Sequence, residues 1–328
     1  MLEDSSTALT IVCLCHNHSF FLEECLDEVE KLASPTVQVI LVDDGSDDGS
    51  KDILSHYSTK NNWKFININQ SIGNCKAFNQ ALEFAQGEFI LDLATDDVLI
   101  VENFKNYIQF CVSRSKEIGF FHANALYINK FSELLSAHFA TKQIKELQQE
   151  HPCQLFKRLF EGSLICPPTV IFRTQALKQV NGYDEALSFE DFDAWMRLSR
   201  SWKTDFFPET VIKKRLLNTS SSFQQTRNKT DEFLNSVHKI CQKAIALSQI
   251  NEERLAIAKF SGYHLRLAFY VGNRKYVEAF WAITSSLRKP SVIECLMLGL
   301  SKMNIFPKKL YFIYQNMHWK RKTKVLHH

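Results

Sequence analysis

Residues 37–50 read Val37-Gln38-Val39-Ile40-Leu41-Val42-Asp43-Asp44-Gly45-Ser46-Asp47-Asp48-Gly49-Ser50, and this stretch decides the fold. Its apolar, largely β-branched first half predicts a buried strand, which stops abruptly in acid. Working outward, Leu9 to Cys15, Lys64 to Ile68 and Glu88 to Leu93 are further strands, and acid again follows the last at Thr95-Asp96-Asp97. Between them, Phe20 to Leu32 is apolar at 21, 22, 25, 26, 29 and 32. Asn74 to Ala85 carries Ala77, Phe78, Ala81, Leu82 and Ala85 on one helical stripe, with Gly87 as its stop. The order is βαβαβαβ, with strands apolar throughout rather than on alternate residues. That pattern predicts an α/β domain whose parallel sheet is covered on both faces. Ligands of such sheets bind beyond the carboxyl ends of the strands, where this chain carries two aspartate pairs.

Downstream, Asn103 to Lys116 reads as a helix, Gly119 to Asn129 as a strand and Phe131 to Arg158 as a polar helical excursion. Thr169 to Phe172 reads as a strand, Glu190 to Trp202 as a helix, and everything beyond about residue 230 as helices. The 328 residues allow one large or two modest domains, and 45% hydrophobic residues exclude a disordered chain. A formal charge of +3 excludes a generic polyanion binder, and no nucleic-acid motif occurs. The acidic start Met1-Leu2-Glu3-Asp4 and the lack of a long apolar run lead us to expect a cytoplasmic protein. Nine cysteines, an odd number without a CxxC pair, predict reduced buried thiols rather than a disulfide scaffold or structural zinc.

Paired carboxylates at an open sheet edge suit a phosphate ester that carries a metal. A hard divalent cation held by one or two carboxylates neutralises a diphosphate while leaving positions for its oxygens. The alternative for Asp96-Asp97 is a helix cap or turn. A calcium loop fits Asp44, Ser46, Asp48 and Gly49, but the twelfth position would be Ser55 where a glutamate is needed, and a strand precedes the loop. No GxGxxG follows the first strand and no GxxxxGK[ST] occurs, which disfavours dinucleotide and P-loop folds. Asp44 could also accept hydrogen bonds from a base or ribose.

These residues resemble family 2 glycosyltransferases, which have the GT-A fold. The resemblance runs through Ile11-Val12-Cys13-Leu14-Cys15-His16-Asn17, Phe21 to Leu26, Val42 to Ser46 with Asp48-Gly49-Ser50, and Gly73, Asn79 and Gly87-Glu88-Phe89-Ile90. It continues in Ala94-Thr95-Asp96-Asp97, Gly182-Tyr183-Asp184-Glu185 and Glu190 to Arg197, covering roughly the first 220 residues. It implies inverting, single-addition transfer of a sugar from a nucleotide diphosphate sugar, a UDP-sugar first among donors, with Mn²⁺ or Mg²⁺. The acceptor is a glycan or lipid-linked hydroxyl, and the product a surface polysaccharide or glycoconjugate. By the same resemblance Asp44 contacts the base, Asp96 the ribose and Asp97 the metal, and Asp191 is the general base. Asp191 near a helix start suits a plain N-cap equally. Ala94 stands where the family usually has an aspartate, and Leu14 and His16 replace its proline and aromatic residue, so His16 is expected to substitute for the ring. Processive members carry QxxRW, whereas Gln224-Gln225-Thr226-Arg227 precedes Asn228.

The expected division is a GT-A domain over 1–225 and a helical C-terminal region over 226–328 that meets a membrane or partner. Arg215 is either a phosphate clamp or a solvated arginine at a strand end. Lys76 either approaches the nucleotide or is an exposed lysine, and a metal role for His16 and His18 lacks a third nitrogen ligand. From 295 to the end, Lys302, Lys308, Lys309, Lys320, Arg321, Lys322 and Lys324 stand without an acid, among Phe306, Tyr311, Phe312, Tyr314 and Trp319. That composition suits an anionic membrane face or an ordinary helical appendage. The rival functions are a nucleotide-sugar-binding relative that has lost catalysis, suggested by Ala94, Leu14 and His16, and a nucleotidyltransferase. His16-Asn17-His18-Ser19 lacks the Gly-rich basic loop expected of the latter.

Overall fold

The structure, a computed structural model, describes residues 7–149, 155–162, 165–217 and 231–307. The chain divides into two compact units. The first comprises Met1–Leu155, Leu164–Glu185 and Arg197–Leu217, and the second Phe156–Ser163, Ala186–Met196 and Asn218–His328. The boundary expected at 225 falls in 218–230, outside the described residues.

In the first unit β1 (Leu9–Cys15), β2 (Val37–Asp44), β3 (Lys64–Ile68) and β4 (Phe89–Ala94) alternate with α1 (Ser19–Glu30), α2 (Ser50–Asn61) and α3 (Asn74–Leu82). Then follow β5 (Val98–Leu99), α4 (Val101–Ser113), β6 (Ile118–Ile128), β7 (Leu134–Ala137) and α5 (Thr141–Gln148). The short α6 (Leu155–Leu159) leads to β8 (Ile171–Arg173) and α7 (Thr174–Gln179), and after α8 (Glu190–Leu198) the unit closes with β9 (Lys203–Arg215). Among the described residues the sheet order is β3-β2-β1-β4-β8-β6-β9-β5, with β7 on β6. The first four strands are mutually parallel, and β8, β5 and β7 run against their neighbours. Every residue of β1 is buried, the cause of its unbroken apolar pattern. Helix α1 covers it with Leu22, Cys25, Leu26 and Val29, each aliphatic side chain contributing about 1.5–3 kcal/mol of burial.

Register fixes where the acids fall. Leu14 pairs with Val42 and Ala94, Cys15 with Asp43, and Asp44 with Ile68. The chain therefore leaves β1, β2, β3 and β4 along one edge, carrying residues 16–18, 45–50, 69–73 and 95–97 there.

Two expectations change. Within Phe131 to Arg158 the structure has β7 as well as helix. β8 pairs only with residues 120 and 121 of β6, and β7 supplies partners for 126–128, whose backbone groups on that edge would otherwise stay unpaired. Of β9 only its end at Arg215 was anticipated, because Pro208 and Glu209 interrupt its pattern. They form a bulge where the register against β6 jumps from Phe207 to Thr210.

The second unit contains α9 (Asp231–Leu247), α10 (Asn251–Val271), α11 (Arg274–Leu287) and α12 (Val292–Lys302). Their core includes Leu234, Val237, Leu265, Ala268, Tyr276, Phe280 and Met297. Gly272, at φ 80°, ends α10 in the left-handed region, and Asn273 then caps α11 by accepting from the Tyr276 N–H. Ser291 and Glu294 form a capping box on α12. Among the described residues no helix is long and apolar enough to cross a membrane.

His122 in β6 generates a test of the core. It is buried, its Nδ1 has no hydrogen-bond partner among the described residues, and burial, assisted by His138, pushes its pKa from 6.5 to about 3. The unfolded chain takes up a proton below pH 6.5 that the folded chain refuses until about pH 3, so stability present above 6.5 is lost through that window. The slope is at most about 1.4 kcal/mol per pH unit. His122→Phe should flatten the fall of the urea midpoint between about pH 6.5 and about pH 5. Equal slopes for parent and variant would contradict this origin.

Candidate active site

The acidic run after β2 folds back on the loop after β1. Asn17, at φ 59°, donates its N–H to Ser46 Oγ (2.9 Å) and accepts the Asp47 N–H on Oδ1 (2.9 Å). Asp48 accepts the Ser19 N–H at the start of α1 (2.9 Å) and the N–H and hydroxyl of Ser50 at the start of α2 (3.0 and 2.6 Å). Burial opposes ionisation of Asp48, but these bonds hold its carboxyl down to about 2. One carboxylate thus caps two helices, which leaves it unsuited to the calcium loop considered above.

Asp44 is 3% exposed, and both of its oxygens are engaged. Oδ2 accepts the Ser71 hydroxyl (2.8 Å) and the Gly73 N–H (3.0 Å), and Oδ1 the Ile72 N–H (2.8 Å). The loop can come this close because residue 45 is glycine. Gly45 sits at φ 70°, and a Cβ there would lie 2.4 Å from the Ser71 nitrogen. His16 is exposed, and its Nδ1 lies 2.7 Å from the Asp44 carbonyl oxygen. A carbonyl only accepts, so Nδ1 carries the proton and Nε2 faces outward as the acceptor. His18 is half-buried, with Nδ1 2.9 Å from the Thr95 hydroxyl, and burial lowers its pKa. Lys76, in the first turn of α3, is exposed and has no ion pair among the described residues.

Beyond β4, Asp96 and Asp97 are 9% and 4% exposed. Asp97 Oδ1 accepts the Arg215 N–H (2.7 Å), whereas the Asp96 carboxylate takes no hydrogen bond among the described residues. Burial, and then the neighbouring Asp96 charge, pushes the Asp97 pKa up to about 8 against the pull of Lys214 and Arg215. Two adjacent, nearly buried carboxylates have the donor chemistry for a divalent cation. No cluster of three acidic, histidine or cysteine side chains that could hold a metal occurs among the described residues, so Ala94 is not replaced by another ligand.

Arg215 corrects both readings of it. It is neither solvated nor available as a clamp, being 1% exposed with its guanidinium already engaged. Nε donates to the Asp96 carbonyl (2.9 Å), Nη1 to the Asn129 carbonyl (2.9 Å) and Ser132 Oγ (3.0 Å), and Nη2 to Glu24 Oε2 (2.7 Å). The plane lies 4.6 Å from the centroid of the Phe21 ring. Ser132 also donates to Glu24, and its φ of 64° forms the turn between β6 and β7. Arg215 therefore ties the Asp96-Asp97 turn to α1 and to the β6–β7 hairpin. Sequence reasoning passed over Glu24 and Ser132 because their partner Arg215 lies 191 and 83 positions further along the chain. Asn79, Gly182 and Tyr183 prove to be one brace: Asn79 accepts the Tyr183 N–H (3.0 Å) and donates to its carbonyl (2.9 Å).

Asp191 belongs to the second unit, in the first turn of α8. Its Oδ1 accepts the Phe192 N–H (2.6 Å). Around it the helix is anchored by Asp193, fully buried and paired with Lys243 of α9 (2.8 Å), and by Phe192 among the rings of Phe160, Phe189 and Phe260. Residues Asn218 to Arg227, which carry the segment after the last core strand and the QxxR sequence, lie outside the described residues.

The Arg215 network predicts an asymmetry. Arg215→Met orphans the buried Asp96 and Asn129 carbonyls and should cost about 2–5 kcal/mol. Glu24→Gln should cost under about 1 kcal/mol, because Glu24 is 41% exposed and stays hydrated. Urea unfolding of both variants checks this, and equal losses would mean that the ion pair, rather than the carbonyl bonds, carries the stabilisation.

Residues 10–118 match the glycosyl transferase family 2 profile. The poly-beta-1,6-N-acetyl-D-glucosamine synthase of Staphylococcus epidermidis is 24% identical over 208 residues, which are 61% of this chain and 46% of the synthase. The chain thus spans less than half the length of that relative. Among solved structures, residues 1–349 of S. aureus TarS in complex with UDP-GlcNAc superpose with a TM-score of 0.69 at 18% identity, covering 90% of this chain and 88% of that one. The mannosyltransferase PcManGT from Pyrobaculum calidifontis, in complex with GDP-Man and Mn²⁺, gives 0.56 at 13% identity over 97% and 84%. At those identities the structural likeness is one of fold. The chain therefore has the GT-A fold, and its residues 10–118, from β1 to the start of β6, carry the glycosyl transferase family 2 profile.

Proposed function

We propose that the chain is an inverting, single-addition glycosyltransferase that moves a sugar from a nucleotide diphosphate sugar, a UDP-sugar, to a hydroxyl of a glycan or lipid-linked acceptor in surface polysaccharide synthesis. The observation that carries the reading is the buried Asp96-Asp97 pair, held by Arg215 at the carboxyl end of a parallel sheet, with the Asp97 carboxyl pushed toward protonation by burial. A UDP-sugar is favoured because TarS was solved with UDP-GlcNAc and with UDP.

In this reading the Asp44 edge takes the nucleoside. Oδ1 of Asp44 accepts one hydrogen bond and keeps capacity for the imide N–H of a uracil, while the 71–73 loop it holds forms the wall beside it. His16, its Nδ1 fixed on the Asp44 carbonyl, presents an exposed ring for stacking. Asp96, whose carboxylate takes no hydrogen bond among the described residues, accepts from ribose hydroxyls, and Lys76 stands exposed where an anionic group can approach. Asp97 with Asp96 would hold Mn²⁺ or Mg²⁺, which when bound neutralises charge on the diphosphate leaving group. A diphosphate relieved of charge departs more readily, and inversion follows when the acceptor hydroxyl attacks the anomeric carbon from the opposite face. Asp191 removes the hydroxyl proton as the new bond forms. Single addition is supported by Asn228 after Gln224-Gln225-Thr226-Arg227, where processive relatives complete QxxRW.

Asp191→Asn tests the assignment of the base. Turnover measured as UDP release from a UDP-sugar in the presence of acceptor should fall about 10²- to 10⁴-fold, with donor affinity unchanged. An unaltered rate removes Asp191 from the mechanism, and a parent chain that binds donor but never releases UDP would favour a binding module that has lost catalysis. Asp97→Asn should abolish the tightening of UDP binding by Mn²⁺; a surviving metal response would put the metal elsewhere.

A further inference from the structure

Helix α12 presents to solvent a face that helices in water ordinarily keep charged. Its inward side is Glu294, Met297 and Ser301. Its outward side is Val292, Ile293, Leu296 and Leu300, at 76%, 59%, 61% and 37% exposure, continued past its end by Met303 at 70%. At about 100° per residue these five side chains share one arc of the helix, with Cys295 and Gly299 beside them and no charge among them. The one acid of the helix, Glu294, is 1% exposed, turned into the bundle and paired with Arg266 (3.1 Å) and Arg288 (2.7 Å).

The charged residues that flank this face in sequence are basic. Lys289 ahead of the helix and Lys302 in its last turn are both exposed. In sequence, residues 308–328, which lie outside the described residues, contain Lys308, Lys309, Lys320, Arg321, Lys322 and Lys324 without an acid, interleaved with Tyr311, Phe312, Tyr314 and Trp319. We propose that α12, with Lys289 and Lys302 beside it, is a docking surface for an anionic lipid bilayer, with Val292, Ile293, Leu296, Leu300 and Met303 seated between headgroups and acyl chains. An apolar stripe alone would suit a protein partner equally. Cations on both sides and interfacial aromatics in the following segment favour anionic lipid, since each Lys or Arg near such a surface contributes about 1 kcal/mol of attraction and tyrosine and tryptophan settle at headgroup depth. An 11-residue helix is too short to cross, so the chain lies on the membrane. This inference stands apart from the donor chemistry.

Co-sedimentation of the full chain with vesicles tests it. The chain should pellet with phosphatidylglycerol–phosphatidylcholine vesicles, stay in solution with phosphatidylcholine alone, and release as salt rises toward about 0.5 M. Leu296→Glu, at an exposed position, should keep the parent melting temperature and bind at least about tenfold more weakly, whereas Leu296→Met should bind as the parent does. The proposal is overturned if the parent ignores anionic vesicles, or if Leu296→Glu binds as well as the parent. It is equally overturned if lipid-free sedimentation velocity shows a parent dimer that Leu296→Glu dissolves, which would assign the face to a second copy.

Discussion

The buried guanidinium of Arg215 is the interaction on which the acidic edge depends. Two neighbouring carboxylates repel each other and resist burial, yet Asp96 and Asp97 are both nearly inaccessible. What holds them is directional: Arg215 binds the Asp96 carbonyl through its side chain and the Asp97 carboxylate through its own backbone N–H. The same side chain reaches Asn129, Ser132 and Glu24, so the turn cannot move without disturbing α1 and the β6–β7 hairpin. The stabilisation lies in saturating buried carbonyls rather than in the ion pair, whose glutamate is well hydrated. A rigid pair of carboxylates, one of them pushed toward protonation, is poised to gain from a cation.

The acids of the 43–50 loop do different work from those at 96 and 97. Asp48 closes the amino ends of α1 and α2, and Asp44 organises the 71–73 loop. One acidic motif therefore sets the positions of three segments along the sheet edge, and the 96–97 pair is the one whose burial pushes a carboxyl toward protonation. Gly45 is required for the same reason, since the loop approaches closer than any Cβ permits.

Much of this was legible before the structure. β1, β2, β3 and β4 announce themselves because they are buried on both faces, and their registered ends follow from the parallel arrangement. β9 was hidden by the Pro208-Glu209 bulge and by its many charged residues, and β7 by its length and polarity. Arg215 was misread because a charged residue at a strand end is ordinarily solvated; its partners come from three separate segments that no local pattern brings together. The grouping of α8 with the C-terminal helices was equally invisible, as it rests on Phe192, Asp193 and Ser188 meeting residues of α9 and α10 far along the chain.

The central claim is that the carboxyl edge of β1, β2 and β4 holds a nucleotide diphosphate together with a divalent cation. Calorimetric titration of UDP into the full chain, with and without Mn²⁺, tests it most directly, with GDP and dTDP as comparisons. The account predicts micromolar UDP binding that strengthens with Mn²⁺ and exceeds binding of GDP. The absence of heat from every nucleotide, in the presence of metal as well as without it, would contradict it.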